Sequence, residues 1–200
     1  MSLPILYSYR RCPYAMRARM ALRLAQIDVE IREISLRDKP AHMLQASPKA
    51  TVPVLVLQDG TVIEQSLDIM HWALQEHALG EVAHSGAEAL ILENDTAFKQ
   101  ALDAYKYPER YPSKMQKEHR ADGEVFLQKL ENLLLEHPYL FSATPSLADI
   151  AIFPFVRQFA AVDAVWFEAA PYPKLQVWLN KLIESELFMS VMEKQPTYIE

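Results

Sequence analysis

Cysteine, glycine and dense positive charge are all scarce in this chain of 200 residues. Cys12 is its only cysteine, which excludes an intramolecular disulfide framework and a multi-cysteine zinc site and favours a reducing, cytoplasmic setting. The four glycines are too few to build a dinucleotide fingerprint or a phosphate-binding loop. Because 20 Lys and Arg face 26 Asp and Glu, nucleic acid is not an expected partner.

Targeting signals and long apolar runs are missing as well. The N-terminus lacks the charged start, apolar stretch and cleavage site of a signal peptide, and no run reaches the roughly 18 apolar residues that span a bilayer. We therefore expect no membrane partner. Six histidines without an HExxH pattern or cysteine partners give no indication of a metal site.

Two kinds of periodicity divide the chain. Over residues 1–77 strand and helix signals alternate, and the predicted order is β-α-β-α-β-β-α. Over residues 88–200 strand signals vanish and apolar residues recur every three or four positions, which predicts an all-α region. Residues 78–87 are small and polar and contain helix breakers, so we interpret them as a linker. The predicted fold class is an α/β domain followed by an all-α domain.

Turn and capping residues mark the ends of several elements. Asp59-Gly60 is a strong hairpin signal between two strands. Ser66 stands where a helix is expected to begin and is predicted to be its N-cap. Ser146 and Asp149 form a variant of the capping box, which predicts a stabilising helix start in the second domain.

Cys12 lies between the first predicted strand and the first predicted helix, and this helix has a proline in its first turn. Its sulfur is therefore expected at a helix N-terminus, where unpaired amides and the helix dipole stabilise the nucleophilic thiolate. Arg10, Arg11 and Arg17 are close in sequence and add positive potential. The alternative interpretation is an inert thiol, because a free cysteine is mostly a small buried hydrophobe.

The run Cys12-Pro13-Tyr14-Ala15 after a strand resembles the Cys-Pro-Tyr-Cys site of a glutaredoxin, with alanine in place of the second cysteine. With the helical region added, nearly the whole chain resembles the glutathione transferase superfamily, above all the two-domain bacterial glutaredoxins and the omega-class transferases. The resemblance implies a thioredoxin-like first domain that binds glutathione. Without a resolving cysteine, an external thiol such as glutathione must regenerate Cys12.

The resemblance also implies how glutathione is bound. Val52-Pro53 matches the family's cis-proline turn, whose backbone pairs with the cysteinyl part of glutathione. The pair after the fourth strand matches the one that binds the γ-glutamyl end, and a loop lysine matches the omega-class residue that meets the glycyl carboxylate. The implied binding residues are Pro13, Tyr14, Lys39, Val52, Pro53, Gln65 and Ser66.

Each of these assignments has an ordinary structural alternative. Pro53 can simply begin a strand, and only about one X-Pro bond in twenty is cis in folded proteins. Ser66 can serve as a cap as well as a ligand, because a helix N-terminus that accepts a capping oxygen also accepts a carboxylate. Lys39 can be a solvated surface lysine.

Two tyrosines are candidates for the wall of a second-substrate pocket. Tyr9 ends the first strand, near where tyrosine-type transferases place their catalytic hydroxyl, but the thiol of Cys12 is the better nucleophile near neutral pH. Tyr105 shares a predicted helical face with Phe98 and Leu102, a stripe that core packing also explains.

We predict a glutathione-dependent thiol transferase, in which the Cys12 thiolate attacks a glutathione mixed disulfide or a similar oxidised substrate and a second glutathione releases it. One alternative is conjugation of glutathione to an apolar electrophile, where the glutathione sulfur attacks. Another is a non-catalytic interaction module, which has no need of a thiol at a helix start. Glutathione is the expected co-substrate, without a metal, and the sequence leaves monomer and homodimer open.

Overall fold

The computed structural model describes residues 2–75, 77 and 86–200. Most of the predicted linker, residues 78–85, lies outside the described residues. None of the helices in the described part of the chain is long and apolar enough to cross a membrane.

Contacts divide the chain into two compact units. One comprises Met1–Glu81 together with Ser185–Glu200, and the other comprises Val82–Glu184. The last sixteen residues, which the sequence pattern places with the helical domain, therefore group with the first unit.

The first unit contains the predicted succession of strands and helices, and the α/β class of this region is confirmed. Its elements are β1 (Ile5–Ser8), α1 (Pro13–Leu24), β2 (Glu30–Glu33), α2 (Ala41–Ala46), β3 (Val54–Val56), β4 (Val62–Ile63) and α3 (Ser66–Leu74).

The four strands form one mixed sheet in the order β2-β1-β3-β4. β2 runs parallel to β1, with Ser8 opposite Glu33, while β3 is antiparallel to β1 and β4 to β3. Because the carboxyl ends of parallel strands meet at the same edge, Glu33 lies beside the point where the chain leaves β1 for α1. Tyr7 of β1, Met43 of α2 and Val54 of β3 belong to one buried cluster.

Two local predictions have different outcomes. The Asp59-Gly60 hairpin is confirmed: Gly60 adopts a φ of +87°, which glycine tolerates best, and the Leu57 amide donates to the Thr61 carbonyl at 2.8 Å. The prediction for Ser66 is wrong in detail, because Gln65 is the N-cap of α3 and Ser66 is the first helical residue. A tertiary hydrogen bond to another side chain engages the Ser66 hydroxyl instead.

Helices are the only regular elements among the described residues of the second unit, and the all-α class predicted for this region is confirmed. Its elements are α4 (Ala87–Glu93), a π-helical segment (Asn94–Phe98), α5 (Lys99–Lys106), a 3₁₀ turn (Pro108–Arg110), α6 (Gln116–Leu133), α7 (Leu147–Ala160), α8 (Ala164–Ala169) and α9 (Pro173–Ile183).

The predicted capping box opens α7. Ser146 is the N-cap, its hydroxyl accepts from the Asp149 amide at 3.4 Å, and the Asp149 carboxylate accepts from the Ser146 amide at 2.8 Å. The same buried carboxylate also accepts from the Leu140 amide at 3.0 Å and the Trp178 indole at 2.7 Å. One aspartate thus joins the helix start to two other segments of the unit.

The last helix, α10 (Glu186–Val191), packs against α1. Arg19 of α1 donates to the Val191 carbonyl at 3.1 Å, and the Tyr198 amide donates to the Glu33 carbonyl of β2 at 2.7 Å. These hydrogen bonds are the physical reason why residues 185–200 group with the first unit.

Candidate active site

Cys12 is the N-cap residue of α1, and its backbone is extended (φ −76°, ψ 122°). Its carbonyl accepts from the Met16 amide at 2.9 Å, while Pro13 occupies the first helical turn, where no amide donor is needed. The side chain is partly exposed. The thiol therefore lies at a helix N-terminus and remains accessible, which is the position that favours a reactive thiolate.

The turn before Cys12 is closed by its own backbone. The Cys12 amide donates to the Tyr9 carbonyl at 3.0 Å, and the Arg10 amide donates to the Glu33 carboxylate at 2.7 Å. Arg11 donates to the Tyr9 hydroxyl at 2.9 Å. Tyr9 thus contributes its carbonyl to the Cys12 turn and directs its hydroxyl to an exposed arginine, and the pocket-lining role stays a prediction.

Val52 meets Cys12 although 40 residues separate them in sequence. The Cys12 Sγ donates to the Val52 carbonyl at 3.8 Å, and the Val52-Pro53 bond is cis. The turn to which the sequence pointed therefore lies beside the thiol. The role of this backbone as a contact for glutathione stays a prediction.

The start of α3 brings Gln65 and Ser66 together with α1. Gln65 is exposed, whereas Ser66 is 4% exposed. The Nε of Arg17, itself 2% exposed, donates to the Ser66 hydroxyl at 3.0 Å, and the guanidinium lies 5.2 Å from the centre of the Tyr14 ring. A helix N-terminus with an adjacent buried guanidinium favours a carboxylate.

Lys39 lies in the loop just before α2 and is partly exposed. Pro40 is the N-cap of this helix, and the amides of Ala41 and His42 in its first turn donate to the Glu200 carboxylate at 2.7 and 3.1 Å. The Glu200 carboxylate therefore fixes the chain directly after the loop that contains Lys39. The role of Lys39 as a carboxylate ligand stays a prediction.

Tyr105, the other pocket candidate, belongs to α5 in the second unit. It is 2% exposed, and its ring centre lies 4.9 Å from that of Phe159. Burial raises the pKa of its hydroxyl. These contacts are those of a core residue, and the pocket role remains a prediction.

Three residues of the site region escaped the sequence analysis: Arg19, Glu33 and Glu200. Arg19 stands seven residues after Cys12, close to two helical turns, so the spacing alone places both on one face of α1. For Glu33 the signal was its place near the end of the second strand in the predicted β-α-β order, because a strand that follows a helix in this way runs parallel to the first and ends at the same edge of the sheet. Nothing local indicated that Glu200 would reach α2.

In the described ranges no group of three or more His, Cys, Asp or Glu side chains is arranged to hold a metal ion.

Two family models match the chain. The model for the glutathione S-transferase N-terminal domain matches residues 6–81, and that for the glutathione S-transferase C-terminal domain matches residues 117–181. The two matches together cover well over half of the chain; the first ends within the predicted linker and the second begins after it.

Curated relatives agree with the models. The Aplysia californica protein named "Probable glutathione transferase" is 32% identical over 89 residues, which are 44% of this chain and 94% of that protein. Glutaredoxin 2 of Escherichia coli is 34% identical over 67 residues, or 34% of this chain and 31% of that protein.

A solved structure has the same fold. The glutathione transferase Omega 3C of Trametes versicolor superposes with a TM-score of 0.80 at 21% identity, covering 100% of this chain and 93% of the other. At this identity the likeness concerns the fold alone. Together with the family models and the relatives, it leads to one conclusion: the chain belongs to the glutathione transferase superfamily of enzymes.

Proposed function

We propose that the chain is a glutathione-dependent thiol transferase that acts through a single cysteine, Cys12. The observation that carries the proposal is the place of its Sγ, at the N-terminus of α1 and 3.8 Å from the Val52 carbonyl. A thiol at this position is itself the nucleophile available to a bound disulfide. Ala15, where a glutaredoxin has its second cysteine, makes the enzyme monothiol.

Three contacts account for glutathione binding in this proposal. The Val52 backbone pairs with the cysteinyl part, the start of α3 at Gln65 and Ser66 binds the γ-glutamyl carboxylate, and Lys39 binds the glycyl carboxylate. The buried guanidinium that donates to Ser66 supports the second contact, because it adds positive charge to a helix N-terminus.

The reaction proceeds by two thiol–disulfide exchanges. The Cys12 thiolate attacks the glutathione sulfur of a mixed disulfide, so that a bond forms between Cys12 and glutathione while the substrate thiolate leaves and takes up a proton. A second glutathione thiolate then attacks the glutathione sulfur on Cys12. The products are the reduced substrate, oxidised glutathione and the regenerated Cys12 thiolate.

The chemistry implies a reducing compartment, such as the cytoplasm, because the second step consumes reduced glutathione. A further co-substrate is not needed, since both electrons come from glutathione.

Replacement of Cys12 by serine tests the proposal. Serine cannot form a mixed disulfide, so Cys12→Ser should lose glutathione-dependent reduction of a glutathionylated peptide while retaining glutathione binding measured by calorimetry. Tyr9→Phe, which removes the hydroxyl on the neighbouring turn, serves as the matched control and should keep the activity. The same two variants are assayed for conjugation of glutathione to an aryl halide.

The two assays separate the enzyme functions. Loss of reduction with conjugation kept or raised in Cys12→Ser supports thiol transfer by the parent. Full reduction by Cys12→Ser contradicts it. If the parent does not reduce the glutathionylated peptide and Tyr9→Phe loses conjugation activity, conjugation of glutathione becomes the better-supported function.

A further inference from the structure

Arg19 is a buried cation that contacts the backbone of the Cys12 turn. The side chain is only 5% exposed. Its Nη2 donates to the Arg10 carbonyl at 2.9 Å and its Nη1 donates to the Ser8 hydroxyl. Ser8 ends β1 and Arg10 lies in the turn between β1 and Cys12, so the guanidinium fixes this connection from the α1 side.

Glu33 of β2 also binds the backbone of Arg10, the residue whose carbonyl accepts from Arg19. Its carboxylate accepts from the Arg10 amide at 2.7 Å, while Arg19 donates to the Arg10 carbonyl. The backbone donor and the backbone acceptor of one residue are thus both bound by charged side chains. Two residues further along the chain is Cys12, and its orientation depends on this fixed turn.

A third contact links Arg19 to α10. The Nε donates to the Val191 carbonyl at 3.1 Å, at the C-terminal end of that helix, and Nη2 approaches the Met192 sulfur at 3.9 Å. The acceptors of the guanidinium are therefore a hydroxyl, two carbonyls and a thioether, all uncharged. A planar fork with five donors can serve such separated acceptors, which a lysine ammonium cannot.

None of these four acceptors carries a negative charge, so the charge of Arg19 interacts with the anionic groups nearby. Burial lowers the pKa of Arg19 to about 10, and the negative charges of Glu33 and of ionised Cys12 oppose this lowering. Arg10, a like charge, adds to it. Arg19 therefore remains a cation at neutral pH, and its attraction to an ionised Cys12 is mutual.

Other charged groups lie near Arg19, on α1 and on the segments beside it. Arg19 also lines a cavity of about 190 Å³ beside α1 and α10. The charged residues that share this cavity are Arg23, Asp28 and Glu193.

We propose that Arg19 is a positioning residue for the thiol chemistry: it holds the Cys12 turn and supplies the positive charge that favours the Cys12 thiolate. The biological use of this role rests on the proposed function, because only thiol transfer requires a reactive Cys12. Its test does not, because the reactivity of Cys12 is measured without glutathione.

Alkylation of Cys12 by iodoacetamide at two pH values tests the proposal. Arg19→Met removes the charge and keeps an unbranched side chain that can fill part of the same space, while Arg19→Lys keeps the charge. Arg23→Met, on the exposed part of the same helix, is the matched control. At pH 6.5 we expect the alkylation rate of Arg19→Met to fall about three- to tenfold, that of Arg19→Lys to fall less, and that of Arg23→Met to equal the parent.

At pH 9.5 the rates of all four proteins should converge, because an ordinary thiol is then largely ionised without help. A merely structural role would change the rate at both pH values alike. An equal loss at both pH values, or no loss at pH 6.5, overturns the proposal.

A second variant, expected to raise the alkylation rate instead of lowering it, tests the proposal even if Arg19→Met does not fold. Glu33→Gln retains a side-chain oxygen that can accept from the Arg10 amide. It removes the negative charge that partly offsets the positive charge of Arg19 at Cys12. Its alkylation at pH 6.5 should be faster than that of the parent, and a slower rate contradicts the proposal. If alkylation follows these expectations while Cys12→Ser still reduces disulfides, the proposed function fails and the role of Arg19 in thiol reactivity stands.

Discussion

The two units bury charges of opposite sign. In the first unit Arg17 and Arg19 are buried, and they donate to a serine hydroxyl at the start of α3 and to the turn before α1. In the second unit Glu131 and Asp149 are buried, and both accept from backbone amides. The cations lie beside the candidate site, whereas the anions lie inside the helical scaffold.

The difference is visible at four helix starts, two in each unit. The carboxylate of Asp149 closes the start of α7, and that of Glu131 accepts from the Leu175 amide at 2.8 Å in the first turn of α9. In the described part of the first unit, α1 and α3 begin without a side-chain cap. Uncapped starts with buried cations nearby leave amide donors and positive potential for an anion from outside, such as a thiolate or a ligand carboxylate.

If this comparison is correct, removing a buried anion of the second unit should damage stability and spare thiol chemistry. Asp149→Ala leaves two amides and an indole without their acceptor in the interior, so the free energy of unfolding should fall by about 3 to 5 kcal/mol. Urea denaturation measures the loss. Iodoacetamide alkylation of Cys12, measured where the variant is folded, should proceed at the parent rate.

Asp163 provides the control for this prediction. It caps α8 through a 3.0 Å bond from the Trp166 amide, but it is exposed. Asp163→Ala should cost about 1 kcal/mol, the usual value of an exposed cap. Equal losses in the two variants would mean that burial of the anion is not what makes Asp149 important.

A change in the first unit should affect glutathione binding and leave the stability of the fold unchanged. Lys39→Ala removes a charge-assisted contact to the glycyl carboxylate, so glutathione affinity should fall by about 1 to 2 kcal/mol in calorimetry, and added salt should narrow the difference. Arg37→Ala, in the same loop and exposed, controls for general electrostatics. An equal loss of affinity in both variants, or none in Lys39→Ala, would refute the assignment.

The smallest effect concerns α2 of the first unit, whose N-terminus does bind a carboxylate of this chain, that of Glu200. The amides of His42 and Ala41 lower the pKa of the Glu200 carboxylate below its usual value of 4.5. The contact should therefore be complete above about pH 4.5 and be lost as the pH falls through the lowered pKa. Amide proton shifts of Ala41 and His42 between pH 6 and 3 report this change, and in Glu200→Gln the same titration should be absent.

Local patterns predicted the elements of the first unit and the place of Cys12. The strand before Cys12 and the proline after it fix a strand-to-helix junction, and Asp59-Gly60 fixes a hairpin, because these signals act within a few residues. The approach of Val52 to Cys12 came instead from the family resemblance. Sequence periodicity alone gives no distance between residues so far apart.

The misses are all tertiary. The Ser66 hydroxyl was expected to cap α3, but Arg17, on another helix, engages it. The contacts of Arg19 with α10, and the return of residues 185–200 to the first unit, join segments more than 150 residues apart. No local signal encodes such a pairing, so only the folded chain shows that a buried arginine connects its last helix to the Cys12 turn.

Thiol transfer by this chain requires that Cys12 form a covalent bond to glutathione. Intact-mass spectrometry after incubation with oxidised glutathione tests it directly: the parent should gain one glutathionyl group on Cys12, reduced glutathione should remove it, and Cys12→Ser should gain none. An unchanged parent mass in a protein that binds glutathione by calorimetry would contradict thiol transfer by Cys12.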